Sequence, residues 1–252
     1  MYLEEIELDL PYVIDNNRVS KIVKDRACTL DEAITIDYTV NWKEKRRKFS
    51  LETRCITSLF ERLLIKFQTN SCKKILIECV EYTTEDRVLN FSGIYTIQVE
   101  FDYKSFLDSN NDEKKQKSLN AIWEGINKIS KQNGWEMTFF ESVYSKIIDT
   151  NYVNEWMWKK KVKNPRKDLS AEVFMQHEID YMMISILIRD SLGEKIFSQK
   201  VISELPNEYA YSQHLGKLKW ITNTSVVLVN KKNDTEWKVE LPCDIISNIY
   251  TT

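Results

Sequence analysis

Five glycines in 252 residues, Gly93, Gly125, Gly134, Gly193 and Gly216, leave no segment able to wrap a phosphate. A nucleotide-binding turn needs several glycines within a few residues, because the backbone must take positive φ and approach the pyrophosphate with no Cβ in the way. Histidine is rarer still, with only two. His177-Glu178 begins like the zinc-protease helix motif, whose second histidine stands one helical turn further on, but that position is Tyr181. His177 is therefore expected to be structural. His214 lies among Glu208, Tyr209 and Tyr211 and could act as a general base, yet the sequence shows it no second partner.

The five cysteines, Cys28, Cys55, Cys72, Cys79 and Cys243, are odd in number and share no spacing, which reads as free thiols in a reducing compartment. Cys72 and Cys79 lie seven residues apart with no histidine nearby and fit no common zinc pattern. No cofactor and no metal is expected. No window approaches the roughly 20 apolar residues of a membrane span, and the N-terminal MYLEEIELDL is acidic where a signal peptide is basic. These features point to a cytoplasmic protein without a membrane partner. A formal net charge of −2 argues against bulk attraction to nucleic acid.

What is present is a well-patterned chain, long enough for one large domain or two small ones. Ile34, Ile36, Tyr38 and Val40 alternate with Thr35, Asp37 and Thr39, the pattern of a half-buried strand. The charged run 43–48 then reads as a loop and the start of a return strand, with Ser50 or Thr53 capping a helix. That helix carries Ile56, Leu59, Phe60, Leu63, Leu64 and Phe67 as one apolar stripe and is expected to end near Asn70. Strands follow at 74–80 and 91–103, the second alternating Tyr95, Ile97, Val99, Phe101 and Tyr103 with polar residues. The polar stretch 108–117 leads into a second helix with the stripe Leu119, Ile122, Trp123, Ile126 and Ile129, stopped by Asn133-Gly134. Residues 142–150 suggest a short further helix.

Beyond residue 154 strand signals dominate, at 155–162, 172–177, 180–189, 195–202, 217–222, 225–229 and 236–241. The nearly continuous apolar segment YMMISILI, 181–188, marks a strand at the centre of a sheet. So many adjacent strand pairs argue against a doubly wound parallel sheet. The expected fold is α+β. Residues 1–150 form a mixed sheet covered by two amphipathic helices, and residues 151–252 an antiparallel β meander packed against it. No Gly-, Ser- or Pro-rich linker separates the halves, so one continuous domain stays open.

Three charged features suggest partners, the first being the basic run Lys43, Lys45, Arg46, Arg47 and Lys48. Lys159, Lys160, Lys161, Lys163, Arg166 and Lys167 follow Trp156 and Trp158, a combination suited to single-stranded nucleic acid through phosphate contacts and base stacking. The same residues also fit an edge strand whose lysines block aggregation while its tryptophans pack inward. Acidic residues cluster at Glu4, Glu5, Glu7 and Asp9, and again at Asp108, Asp112 and Glu113, and would steer a basic partner. The Glu236-Trp237-Lys238 triplet resembles half of a nuclease metal site, but the neighbouring SVVLV strand supplies no second acid.

With 7 Trp and 12 Tyr, binding is favoured over catalysis, since these side chains dominate interface hot spots. The expectation is a non-enzymatic protein that binds another protein, a bacterial immunity or antitoxin-like inhibitor that occludes a toxin, with Glu4, Glu5, Glu7, Asp9, Asp108, Asp112, Trp156 and Trp158 at the contact. In general style the chain resembles stand-alone immunity proteins of interbacterial toxin systems, though it matches no family motif. The second reading is a nucleic-acid-associated defence or regulatory protein using residues 159–167. A third is a hydrolase assembled from distant residues, such as His214 with Glu208 or Asp244.

Overall fold

The computed structural model describes residues 1–250 and divides into two compact units, Met1–Val153 and Asn154–Thr252. Both are built from strands and helices, and the fold is α+β.

The first unit begins with β1 (Glu5–Asp9), followed by three helices, α1 (Asn16–Arg26), α2 (Leu30–Asn41) and α3 (Lys43–Leu63). Then come β2 (Lys74–Val80), β3 (Leu89–Phe91) and β4 (Ile94–Glu100), and the helices α4 (Tyr103–Asp108), α5 (Asn111–Asn133) and α6 (Thr138–Asp149). The sheet order is β1-β2-β4-β3. The first three strands are parallel and β3 alone is antiparallel. Because β3 runs back along the far edge, β4 inserts beside β2 without a helical crossover. The reversal is made at Ser92 and Gly93, with φ of 51° and 85°, the left-handed pair that a tight hairpin turn needs.

Alternation then decides the layers. Ile6 and Leu8, Ile75 and Ile77, and Ile97 and Val99 are all buried, and α3 and α5 pack on these strands. Helices α3 and α5 also pack on each other, and Ile56, Leu59 and Phe60 of the first and Leu119, Ile122, Ile126 and Ile129 of the second are all buried. Burying each such side chain contributes about 2 kcal/mol, which is why both stripes were visible in the sequence.

Four expectations for this unit need correction. The segment 34–40 is helical, because Thr29 and Glu32 form a reciprocal capping box that satisfies two otherwise unpaired backbone donors at the start of α2. Its buried positions are Ala33 and Asp37, and Val40 is exposed. The run 43–48 is the first turns of α3, not a loop and return strand, and Ser50 and Thr53 lie inside that helix rather than capping it. α3 also stops at Leu63, short of Asn70, leaving Phe67 beyond it. Finally, the expected strand 91–103 is divided by the turn at Ser92-Gly93 and ends at Glu100, because Asp102 caps α4 by accepting the Ser105 amide.

Helix α5 starts earlier than the apolar stripe suggested, under an Asn110–Glu113 capping box, so most of 108–117 is helical. Within it Lys114 is buried and donates to Glu52 of α3 at 2.8 Å. Gly134 closes α5 at φ 65°, the left-handed C-cap anticipated there.

The second unit contains β5 (Glu155–Lys163), β6 (Ser170–His177), β7 (Met182–Arg189) and β8 (Lys195–Glu204) in one antiparallel sheet of that order. A short helix α7 (Glu208–Tyr211) and a 3-10 turn lead to β9 (Lys217–Trp220), β10 (Ser225–Val229) and β11 (Glu236–Glu240), a second antiparallel sheet. The last helix is α8 (Cys243–Tyr250). The expected meander is thus two sheets. Val173, Met175, Ile184 and Ile186 of the first share one core with Val226, Leu228 and Val239 of the second. The apolar β7 is central, as its composition required. His177 is fully buried, with Nε2 3.1 Å from the Pro206 carbonyl, a structural histidine.

Burial separates two otherwise similar substitutions. Ile126 is fully buried whereas Leu63, at the end of α3, is only half-buried. Ile126→Asp should abolish cooperative folding, since an unpaired carboxylate at a dry site costs several kcal/mol against a total stability of about 5–15. Leu63→Asp should lower the melting temperature and leave a folded protein. Thermal unfolding of the two variants checks the contrast.

Candidate functional site

The three parallel strands end at one place. Leu10 follows β1, Cys79 and Val80 close β2, and Phe101 follows β4, and together they line a cleft of about 970 Å³ in the first unit. In open sheets with parallel strands the carboxyl ends are where ligands bind, because the loops diverge there and leave a crevice. A cleft of this size is within the range of small-molecule sites.

One wall is fixed by two ion pairs. Arg46 of α3 grips Asp9 at the end of β1 with both nitrogens, Nε to Oδ1 at 2.6 Å and Nη2 to Oδ2 at 2.7 Å. Behind it the Asp37 carboxylate, with no solvent exposure, accepts from Tyr12 Oη at 2.7 Å, Arg18 Nε at 2.8 Å and Asn41 Nδ2 at 2.8 Å. The Arg18 guanidinium is the main cause that holds the Asp37 pKa down to about 2, with Tyr12 and Asn41 adding to it. In return, burial and the Asp37 hydrogen bond push Tyr12 up to about 12. Trp42 donates its indole N–H to the Leu10 carbonyl at 3.1 Å, which sets its ring at the cleft.

The floor holds an amine without a carboxylate. Lys45 Nζ lies 4.0 Å from the Trp42 ring centroid and 4.3 Å from that of Tyr103, a cation between two aromatic faces. Among the described residues it makes no ion pair. Burial lowers its pKa from the ordinary lysine value, and the nearby Arg18 charge lowers it further. At the mouth, Glu81 and Glu100 are exposed carboxylates, also without an ion pair among the described residues, beside Val13, Ile14 and Tyr82 at 63%, 46% and 72% exposure.

The residues that sequence reasoning proposed for a contact fall in different places. Asp9 is buried in its pair with Arg46. Glu5 and Glu7 both hold Lys74 of β2, and Glu4 is exposed. Asp108 and Asp112 are exposed at the α4–α5 junction. In the second unit, Trp156 and Trp158 are half-buried against the core, while Lys160, Lys161 and Lys163 are exposed on β5, an edge strand. Lys159 sits at a bulge with φ 60°, its Nζ 4.2 Å from the Trp158 ring centroid. Bulge and lysines together fit a guarded edge.

His214 pairs with Glu204 at 3.0 Å and lies edge-on to Trp237, rather than joining Glu208 or Asp244. Glu236 pairs with Lys219, and Lys238 with Glu240. None of the five cysteines is in a disulfide, and Cys55, Cys72 and Cys79 are buried. Burial pushes Cys72 up to about 11 and Cys79 well above the ordinary thiol range, which keeps both protonated. Among the described residues no group of three or more His, Cys, Asp or Glu could hold a metal ion, and no helix is long and apolar enough to cross a membrane.

Sequence reasoning took Lys45 only as one member of a basic run and missed Trp42 and Asp37 as site residues. Reading 43–48 as a loop and return strand hid the start of α3, which sets Lys45 one turn beyond its N-cap Trp42.

Because the folded pKa of Asp37 lies below its ordinary 3.8, its contribution is fully present above about pH 4 and is lost as pH falls through about 2. Asp37→Ala should cost about 3 kcal/mol at neutral pH, leaving Tyr12, Arg18 and Asn41 without their acceptor. It should also flatten the acid limb of the stability profile. Chemical denaturation of wild type and variant between pH 2 and pH 7 measures both.

No protein-family model, no curated protein and no solved structure matches this chain.

Proposed function

We propose that the protein works by binding another protein, as a non-enzymatic, bacterial, cytoplasmic inhibitor of the immunity or antitoxin type that covers the active surface of a basic toxin. The observation that carries this reading is the cleft mouth. Glu81 and Glu100 stand there as carboxylates without an ion pair among the described residues, next to exposed Val13, Ile14 and Tyr82. Exposed apolar side chains rimmed by charge mark a protein contact, with the apolar centre giving residence time and the carboxylates giving orientation and encounter rate.

The nucleic-acid reading has weaker support. Its lysines are exposed, but the Trp156 and Trp158 rings that would stack on bases pack toward the core of the second unit. Protein binding is therefore the better use of this chain's chemistry.

The reading is tested with a basic toxin domain encoded beside the gene, measured by biolayer interferometry. Glu81→Lys with Glu100→Lys should slow association at low salt by about tenfold or more, and Tyr82→Ala should speed dissociation by a similar factor. Wild-type kinetics in both variants would remove the mouth from the contact. Tight, salt-sensitive oligonucleotide binding that is lost when Lys159, Lys160, Lys161 and Lys163 become Glu would replace this reading with the nucleic-acid one.

A further inference from the structure

A desolvated ammonium ordinarily has an anion beside it, since a charge moved from water toward the interior is unfavourable unless paired. Lys45 breaks this pattern within a cleft that carries several carboxylates. Its ammonium is held by the faces of Trp42 and Tyr103. Glu81, Glu100 and Asp102 line the same cleft, and none of them reaches it. The Arg18 charge, of the same sign, acts on it unfavourably.

Arg18 cannot serve a ligand with much of its own donor set. Nε and Nη2 go to Asp37, and Nη1 goes to Asp15 at 3.0 Å. Its guanidinium is committed to those two carboxylates. Lys45 is thus a ready donor in a cleft that the apolar Leu10, Val80 and Phe101 also line.

We infer that the cleft floor is a binding site for a small monoanion, a carboxylate carried on an apolar or aromatic body, with the Lys45 ammonium as its counter-ion. The size of the charge follows from the surroundings. A phosphate ester needs several convergent donors, usually backbone N–H groups of a glycine-rich turn, and no glycine lines this cleft. The carboxylates of Glu81, Glu100 and Asp102 would repel a dianion more than a single charge. The apolar walls and the edges of the two rings take the body of the ligand, where burial of carbon supplies affinity and the ion pair supplies orientation. Such a carboxylate belongs either to a free small acid or to the C-terminus of a polypeptide. This site is independent of whether the mouth binds a toxin.

The probe is 3-phenylpropionate, with 3-phenylpropionamide as its uncharged isostere, titrated into the full-length protein and followed by ligand-observed NMR. For a ligand of this size a Kd of roughly 1 mM is expected for the acid. The amide should bind at least about tenfold more weakly. Lys45→Met, which keeps the stem between the rings and removes the charge, should weaken the acid by a similar factor and make acid and amide equivalent, with wild-type melting. If that variant unfolds, Lys45→Gln takes its place, and the acid–amide contrast on wild type stands without either. Tighter binding of Gly-Gly-Phe than of 3-phenylpropionate, lost in its C-terminal amide, assigns the site to a polypeptide C-terminus, and the reverse order assigns it to a small acid. Equal binding of acid and amide, no binding of the acid at about 10 mM, or unchanged binding in both folded Lys45 variants would overturn the inference.

Discussion

The bidentate pair between Arg46 and Asp9 is the contact on which the geometry of the first unit depends. It joins the carboxyl end of β1 to the beginning of α3, and Asp9 is almost fully buried in it. Holding Arg46 holds its neighbours on the same helical turn. Trp42 can then donate to the Leu10 carbonyl, and Lys45 comes to rest between Trp42 and Tyr103. A pair of this kind is weak evidence for net stability, because desolvation offsets much of the attraction. Its role is positional. Loss of Arg46 would leave the buried Asp9 carboxylate unpaired and release the wall of the cleft.

Topology places this wall where it is useful. Three helices lie between β1 and β2, which lets the second strand enter parallel to the first. The β3 hairpin then sets β4 parallel as well. Three consecutive parallel strands bring three chain exits to one edge, and a cleft there follows from the divergence of the loops. Asp37 supports the arrangement from behind. Its carboxylate collects donors from the loop after β1 and from α1 and α2, so one buried anion ties three segments together. The aromatic pairs Tyr12 with Tyr38 and Tyr12 with Trp42, at 5.6 and 5.8 Å, pack the same junction.

Most of the second unit was legible because its signal is local. Alternation at period two between turn residues, with one strand apolar throughout, permits few other readings, and what the sequence did not show was the division into two sheets and the helices α7 and α8. The first unit misled at 34–40, where β-branched residues happen to alternate on a helix. Thr29 and Glu32 were the decisive signal there, and capping outweighed the alternation. The candidate contact residues show a different limit. Glu5, Glu7 and Asp9 look equivalent in sequence, yet two of them hold Lys74 and the third is buried against Arg46. Strand pairing and helix placement decide which carboxylate stays exposed. Lys45 was visible only as one lysine of a basic run, because what distinguishes it is the lack of a counter-ion, a property of the folded cleft rather than of the residues beside it in the chain.

The central claim is that the fold holds Lys45 against two aromatic faces without a carboxylate partner. Lysine-selective labelling at Cε reads this directly, because ring currents and titration both report on the ammonium's surroundings. The account predicts one lysine signal shifted upfield by the Trp42 and Tyr103 rings, titrating below the ordinary lysine value, and disappearing from that position in Lys45→Arg. A Lys45 signal at the shift and pKa of the exposed lysines would contradict it.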